Sequence, residues 1–218
     1  MAAPLRQQVV DHLREAIIAG RIEPGQRLIE RELTDMLAVS RTVIREALRQ
    51  LETEGLIVLI PNKGPVVREL SPAEAHDVYR IRSLLEGLAA RLFAENADEA
   101  MISQLEAALD DVIAAYEKGG AGEIMNMKNK FYDILYRGVM SETLTSILVT
   151  LNARIRRWRA VGLAHPKRSG DRSRESVANL GAMLRAIRNR DADTAERITR
   201  EEAEGAAHEV LRLLGSGP

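Results

Sequence analysis

Over most of the chain apolar residues recur three and four apart with charged residues between them, the pattern of amphipathic helices. One stretch breaks it. From Leu56 to Leu70 the sequence reads Leu-Ile-Val-Leu-Ile-Pro-Asn-Lys-Gly-Pro-Val-Val-Arg-Glu-Leu, two β-branched runs around a Pro-Asn-Lys-Gly-Pro turn, which predicts a small hairpin. Directly afterwards, Ser71-Pro72-Ala73-Glu74 combines an N-cap Ser, a Pro at the first helical position and a Glu at the third, a helix start. A domain boundary falls here, dividing a first domain of helices plus hairpin, 1–70, from an all-helical remainder, 71–218.

Punctuation divides the remainder into about six helices, an antiparallel bundle large enough for its own core. The first runs from 72 to about 96, with Val78, Ile81, Leu84, Leu85, Leu88 and Leu92 as its apolar positions. The second starts after Asp98 and ends before Gly119-Gly120; the third covers 121 to about 140. Ser141 caps a fourth that reaches about 163, and a loop containing Pro166 and Gly170 follows. The fifth ends near Arg190, and Asp191 opens the sixth. The expected fold class is mainly α.

Within the first domain the stretch from Glu30 to Leu51, ERELTDMLAVSRTVIREALRQL, reads as a helix-turn-helix. Leu33 and Leu37 lie one turn apart on its first helix, and Val39 fills the corner beside the small Ala38. Ser40 caps a second helix whose inward stripe is Ile44, Ala47, Leu48 and Leu51. Arg41, Arg45 and Arg49 share another face at i, i+4 and i+8, roughly 110° round from the apolar one. Guanidinium groups suit phosphates and guanine edges, and Thr42 and Val43 at the helix start are placed for base edges, thymine methyls included. The hairpin supplies a wing, with Lys63 and Gly64 at its tip able to approach a sugar-phosphate backbone. Arginines at this spacing also form ordinary solvated faces, and Glu46, Glu52 and Glu54 stand near as partners. The apolar spacing, the small corner residue, the Ser cap and the hairpin together turn the reading towards DNA.

Composition narrows the rest. Among 218 residues, Lys and Arg number 31 against 32 Asp and Glu, a net charge of −1, so any basic face is local. With no Cys, thiolate metal sites, disulfides and cysteine nucleophiles are excluded. The four His, His12, His76, His165 and His208, are too scattered for a metal motif. No apolar run is long enough for a membrane, and Met-Ala-Ala-Pro lacks the plan of a signal peptide, so a cytoplasmic protein is expected. Neither a Gly-x-Ser-x-Gly element nor a phosphate-binding Gly-Lys-Ser/Thr loop is present, which argues against a helical-bundle enzyme with an accessory winged domain.

Residues 20–60 resemble the winged helix-turn-helix of the GntR family of bacterial transcription regulators. The matching positions are Gly20, Ile22-Glu23-Pro24-Gly25-Gln26-Arg27-Leu28, Glu32-Leu33, Ser40 through Leu48, Leu51, Glu54, Gly55 and Leu56. The helical remainder is similar to the FCD effector domain of the FadR subfamily, most clearly in the run from Tyr79 to Leu92. The resemblance implies a homodimer on palindromic double-stranded operator DNA, with Arg31, Arg41, Thr42, Arg45 and Gly64 as contacts. It also implies a small-molecule effector in the helical domain.

One departure from that family matters. Many FCD domains hold a divalent metal through one Asp and three His. The positions that correspond carry Lys128 for the Asp, Tyr132 for the first His, Ser176 for the second and, by spacing from Asp191, Glu202 for the last. An ammonium and a phenol do not make a first-row metal site, so no metal cofactor is expected. Either Lys128 takes an effector carboxylate directly, with Tyr132 and Ser176 adding hydrogen bonds, or Lys128 and Glu202 form an interior ion pair that binds nothing. The second outcome would leave a constitutive repressor with a degenerate effector site. Arg82, Arg154, Tyr136 and Trp158 are further cavity candidates; Met125, Met127 and Met140 read as core, and Arg154, Arg156, Arg157 and Arg159 as a solvated face.

Overall fold

The computed structural model describes residues 5–18, 20–53, 55–69, 71–165 and 167–215, with the side chains at 18, 153, 157, 161 and 164 outside that description. Glu54, Leu70, Pro166, the Arg157 side chain, residues 1–4 and the Ser-Gly-Pro end therefore lie outside the described residues. The chain forms two compact units, 1–71 and 72–218.

The first unit contains α1 (Leu5–Ile18), α2 (Glu30–Leu37), α3 (Arg41–Thr53), β1 (Ile57–Ile60) and β2 (Gly64–Val67). Its core joins Val9, Val10 and Leu13 of α1 to Leu33 of α2, Ile44, Ala47, Leu48 and Leu51 of α3, and Ile57 and Val67 of the hairpin. The strands pair antiparallel from Ile57↔Val67 to Ile60↔Gly64. Pro61 and Asn62, the latter at φ 62°, make a type II turn closed by the Lys63 N–H on the Ile60 carbonyl at 3.0 Å. The segment before α2 lies along β2: Leu28 N–H donates to Pro65 O at 2.8 Å and Val67 N–H to Gln26 O at 2.9 Å.

The second unit contains α4 (Pro72–Asn96), α5 (Glu99–Lys118), α6 (Ala121–Arg137), α7 (Glu142–Ala164), α8 (Gly170–Arg188) and α9 (Ala192–Gly215). Caps set several of the boundaries: Asp98 accepts from Met101 N–H at 2.8 Å, Ser141 from Leu144 N–H at 3.3 Å and Asp191 from Thr194 N–H at 3.1 Å. The α6 helix stops at Arg137, short of the expected Met140, because the chain turns there with Met140 in the left-handed region at φ 56°. Gly138 is needed at this turn: a Cβ would stand 2.2 Å from the Phe93 ring.

Two groups of residues depart from the apolar pattern. Ile81, Leu84 and Leu88 of α4 are exposed, while Ala75, Val78, Tyr79, Ala89, Ala90 and Phe93 are buried. The helix thus buries its small and aromatic positions and turns out a second apolar stripe. Met140 is also exposed, whereas Met125 is buried and Met127 packs half-buried against the core. The main core gathers around Phe93, Ile102, Leu105, Phe131, Leu135, Leu148 and Ile187. Beside it α4, α6, α7, α8 and α9 bury a polar layer containing Arg82, Glu86, Lys128, Arg159, Arg172, Ser176 and Glu202.

Candidate nucleic-acid interface and effector cavity

In the first unit, α3 is fixed by its inward residues and presents the others. Ile44, Ala47, Leu48 and Leu51 are buried, which leaves Arg41, Thr42, Arg45 and Arg49 exposed. Ser40 Oγ accepts the Val43 N–H at 3.4 Å, and Ala38 makes the corner in the left-handed conformation, φ 52°. Val43 differs from its expected place at the base edges: it packs half-buried against the core, one turn before Ala47 and on the flank of the inward stripe. Two arginines are held by carboxylates: Arg45 Nε donates to Glu30 Oε2 at 2.9 Å and Arg49 Nη1 to Glu46 Oε1 at 3.1 Å. Their side chains remain 62% and 74% exposed, so these pairs contribute little stability and are exchangeable for phosphate. Arg31 is exposed, 3.9 Å from Asp35. Lys63 is exposed at the wing tip and Gly64 has φ 85°, which a side chain would strain.

In the second unit, Lys128, Ser176 and Glu202 meet although they come from α6, α8 and α9. Lys128 Nζ donates to Ser176 Oγ at 2.7 Å and to Glu202 Oε1 at 3.1 Å, and Ser176 Oγ donates to the same oxygen at 2.6 Å. Arg172 Nη2 donates to Glu202 Oε2 at 2.8 Å. Burial alone would push the Glu202 carboxyl up, but Lys128 and Arg172 beside it, with the hydrogen bonds from Ser176 and Arg172, bring it down to about 2. Arg82 and Tyr132 belong to a neighbouring group: Arg82 Nε donates to Glu86 Oε2 at 2.8 Å and its Nη2 to the Tyr132 hydroxyl at 3.2 Å. The Tyr136 hydroxyl donates to Glu86 Oε1. Burial pushes the Tyr132 and Tyr136 phenols well up, so both stay protonated, Tyr132 accepting from Arg82 and Tyr136 donating to Glu86.

A cavity of about 30 Å³ opens between these groups, with Arg82, Lys128, Arg159, Arg172, Ser176 and Tyr116 in its wall. Tyr132 and Glu202 stand behind the wall and hold its cations. Tyr136 and Trp158 are buried, and Arg154 is exposed. The expected solvated face is divided: Arg156 is half-exposed and bonds Asp133 at 3.1 Å, but Arg159 is buried. Ile155 and Trp158 are buried at i and i+3, so Arg159 at i+4 follows them inward. That spacing was the available signal for Arg159; for Glu86 it was the Arg82–Glu86 interval of one helical turn.

The donor set at the four corresponding positions does not fit a divalent ion. Its single carboxylate already accepts from two cations and a hydroxyl, an ammonium lies against it, and the Tyr132 phenol belongs to the neighbouring Arg82 group. Among the described residues no group of three or more His, Asp or Glu is arranged to hold a metal, and no helix is long and apolar enough to cross a membrane.

Comparison with known proteins agrees with both units. Residues 77–204 match the family model of the FCD domain, and residues 5–67 match that of bacterial regulatory proteins, gntR family. The uncharacterised HTH-type transcriptional regulator YdhC of Bacillus subtilis (strain 168) is 32% identical over 150 residues, covering 68% of this chain and 67% of that protein. The HTH-type transcriptional repressor RspR of Escherichia coli (strain K12) is 26% identical over 210 residues, 96% of this chain and 90% of its own. The solved structure of E. coli McbR/YncC covers 100% of both chains with a TM-score of 0.74 at 24% identity, a likeness of fold.

Proposed function

Because this chain belongs to the gntR family of bacterial regulatory proteins and carries an FCD domain, we propose that it binds palindromic operator DNA as a homodimer and that a small carboxylate-bearing effector, held without a metal, changes its operator affinity. It is a DNA-binding transcription regulator and not an enzyme. One observation carries the operator reading: α3 is anchored by four buried apolar residues while Arg41, Thr42, Arg45 and Arg49 stand exposed along its other side. Arg31 and the wing residues Lys63 and Gly64 add backbone contacts, with Ser40 as the cap that sets where the helix starts.

The exposed apolar stripe of Ile81, Leu84 and Leu88 on α4 supports a homodimer through the helical domains, since a symmetric pair would cover it. The effector would act by linkage. It prefers one arrangement of the two reading heads, operator prefers one too, and the coupling is reciprocal. The cavity cations support an acidic effector, with Lys128 and Ser176 in its wall and Glu202 holding them from behind.

The deciding experiment is a fluorescence-anisotropy titration of a palindromic site obtained by in vitro selection. Two chains per site are expected, with an affinity that moves when an acid that stabilises the protein is added. Binding of one chain per site would refute the homodimer. An affinity indifferent to every stabilising acid would leave the constitutive repressor as the reading.

A further inference from the structure

The charges around the cavity of the helical domain do not cancel. Arg82 has Glu86 at 2.8 Å, Lys128 and Arg172 share Glu202, and Glu209 is taken by Arg212 at 2.8 Å. Arg159 has no carboxylate nearer than Glu86 at 3.8 Å, and both Glu86 oxygens already accept, from Arg82 and from Tyr136. Arg172 also reaches Glu175 at 3.4 Å, whereas Arg168 in the same wall bonds the Ser173 hydroxyl and the Gly162 carbonyl, so the least compensated cations facing the cavity are Arg159 and Arg168.

Arg159 is also held in a definite pose. Its Nη1 donates to Asn129 Oδ1 at 2.7 Å, and its guanidinium carbon lies 4.4 Å from the centre of the Tyr132 ring. The remaining two nitrogens, Nε and Nη2, have no hydrogen-bond partner, although the side chain is only 4% exposed. Nε and Nη2 form one edge of the guanidinium, the edge whose parallel N–H groups receive both oxygens of a carboxylate. Leaving buried donors unmade is costly, and more so on a charged group. Tyr116 faces the same cavity. The space of about 30 Å³ admits about two water molecules, close to the footprint of one carboxylate group.

We propose that the cavity binds the carboxylate of a small organic acid side-on at the Nε/Nη2 edge of Arg159, with the neighbouring wall cations Lys128, Arg168 and Arg172, in place of a metal ion, as the second source of attraction. This rests on the reading of the helical domain as the effector domain. Tyr132 positions the guanidinium by its ring face, and Asn129 fixes its rotation, so that the free edge is presented before the ligand arrives. Two parallel donors receive a carboxylate or a tetrahedral oxyanion alike, but a space of about 30 Å³ admits the smaller planar group more readily.

The test uses the full chain dialysed against EDTA and titrated with acetate, succinate and benzoate at constant ionic strength, with chloride as control and sulfate as the tetrahedral probe. The thermal midpoint reads binding. A saturable rise with at least one carboxylate is expected, undiminished by EDTA and weaker by about tenfold or more in Arg159→Lys, which keeps the charge and loses the edge. No saturable rise with any of the three overturns the proposal. So does equal affinity in Arg159→Lys, loss of binding on chelation, or sulfate binding as tightly as the best carboxylate. Operator binding by the unliganded wild-type and Arg159→Lys chains checks the regulator reading separately, since α3 lies in the other unit.

Discussion

Lys128 and Glu202, 74 residues apart in sequence, meet at 3.1 Å in the interior of the helical domain. The contact is unequal. Glu202 also accepts from Ser176 and Arg172, whereas among the described residues Lys128 has Glu202 as its one carboxylate partner. Removing the carboxylate therefore strands the buried Lys128 ammonium and leaves Arg172 only the more exposed Glu175 at 3.4 Å, while removing the ammonium leaves Glu202 with Arg172. We expect Glu202→Gln to lower unfolding stability by about 3–5 kcal/mol and Lys128→Met by clearly less, read from urea denaturation midpoints. The reverse order would mean that Lys128, not Glu202, organises the network.

The same carboxylate gives the domain an acid limit. Its folded pKa lies near 2, below the ordinary value of 4.5, so the stability it contributes is present in full above about 4.5 and is lost as pH falls towards 2. Glu209, held at about 2 chiefly by its hydrogen bonds from Arg212, adds a loss in the same window. Denaturation midpoints taken between pH 6 and pH 2.5 should fall steeply in the wild type and less steeply in Glu202→Gln. Parallel curves for the two proteins would remove Glu202 from the account.

The fold was readable wherever a local signal set the structure. Ser71-Pro72 starts α4, Asp98 starts α5, and the Leu33 to Leu51 spacing builds the helix-turn-helix, because capping and periodicity act within one or two turns. The reading weakened where the decision is tertiary. Nothing local separates Ile81, Leu84 and Leu88, which face out, from Val78 and Phe93, which face in, because α4 carries apolar residues on both sides. Arg159 shows the converse: a run of arginines looks solvated until Ile155 and Trp158 turn one of them inward. Lys128, Ser176 and Glu202 could be singled out only through their resemblance to metal-ligand positions, since they come from three different helices.

Ala38 occupies a conformation that favours glycine. At φ 52° and ψ 41° it ends α2 in the left-handed region, where a Cβ costs about 1–2 kcal/mol, and its exposed methyl group makes no core contact. Part of the gain from glycine is offset by the greater freedom of the unfolded chain. Ala38→Gly is expected to stabilise the first unit by up to about 1 kcal/mol with operator affinity retained. A lower denaturation midpoint would show that the stiffness of alanine in the unfolded chain outweighs the folded-state strain.

Arg45 lies at the centre of the exposed stripe, and its pair with Glu30 is solvent-accessible. Arg45→Ala should weaken operator binding by about 1–3 kcal/mol while shifting stability by no more than about 0.5 kcal/mol. Mobility-shift titration and thermal denaturation separate the two effects. Unchanged operator affinity would remove α3 as the reading helix.

The α4 stripe offers the sharpest check on assembly. Leu84 is 55% exposed and stands between Ile81 and Leu88 on one face of the helix, so changing it disturbs nothing inside a single chain. Glutamate is a good helix former, and Leu84→Glu should keep the helix content and the unfolding midpoint of the isolated chain. In a two-fold pair, however, the stripe meets its own copy, and one substitution places two carboxylates near each other in an apolar contact. Sedimentation equilibrium should then report a monomer for Leu84→Glu and a dimer for the wild type. Operator affinity should fall with dimerisation, because a single reading head contacts only half of a palindrome. A Leu84→Glu chain that stays dimeric would place the two-fold contact on another face of the helical domain.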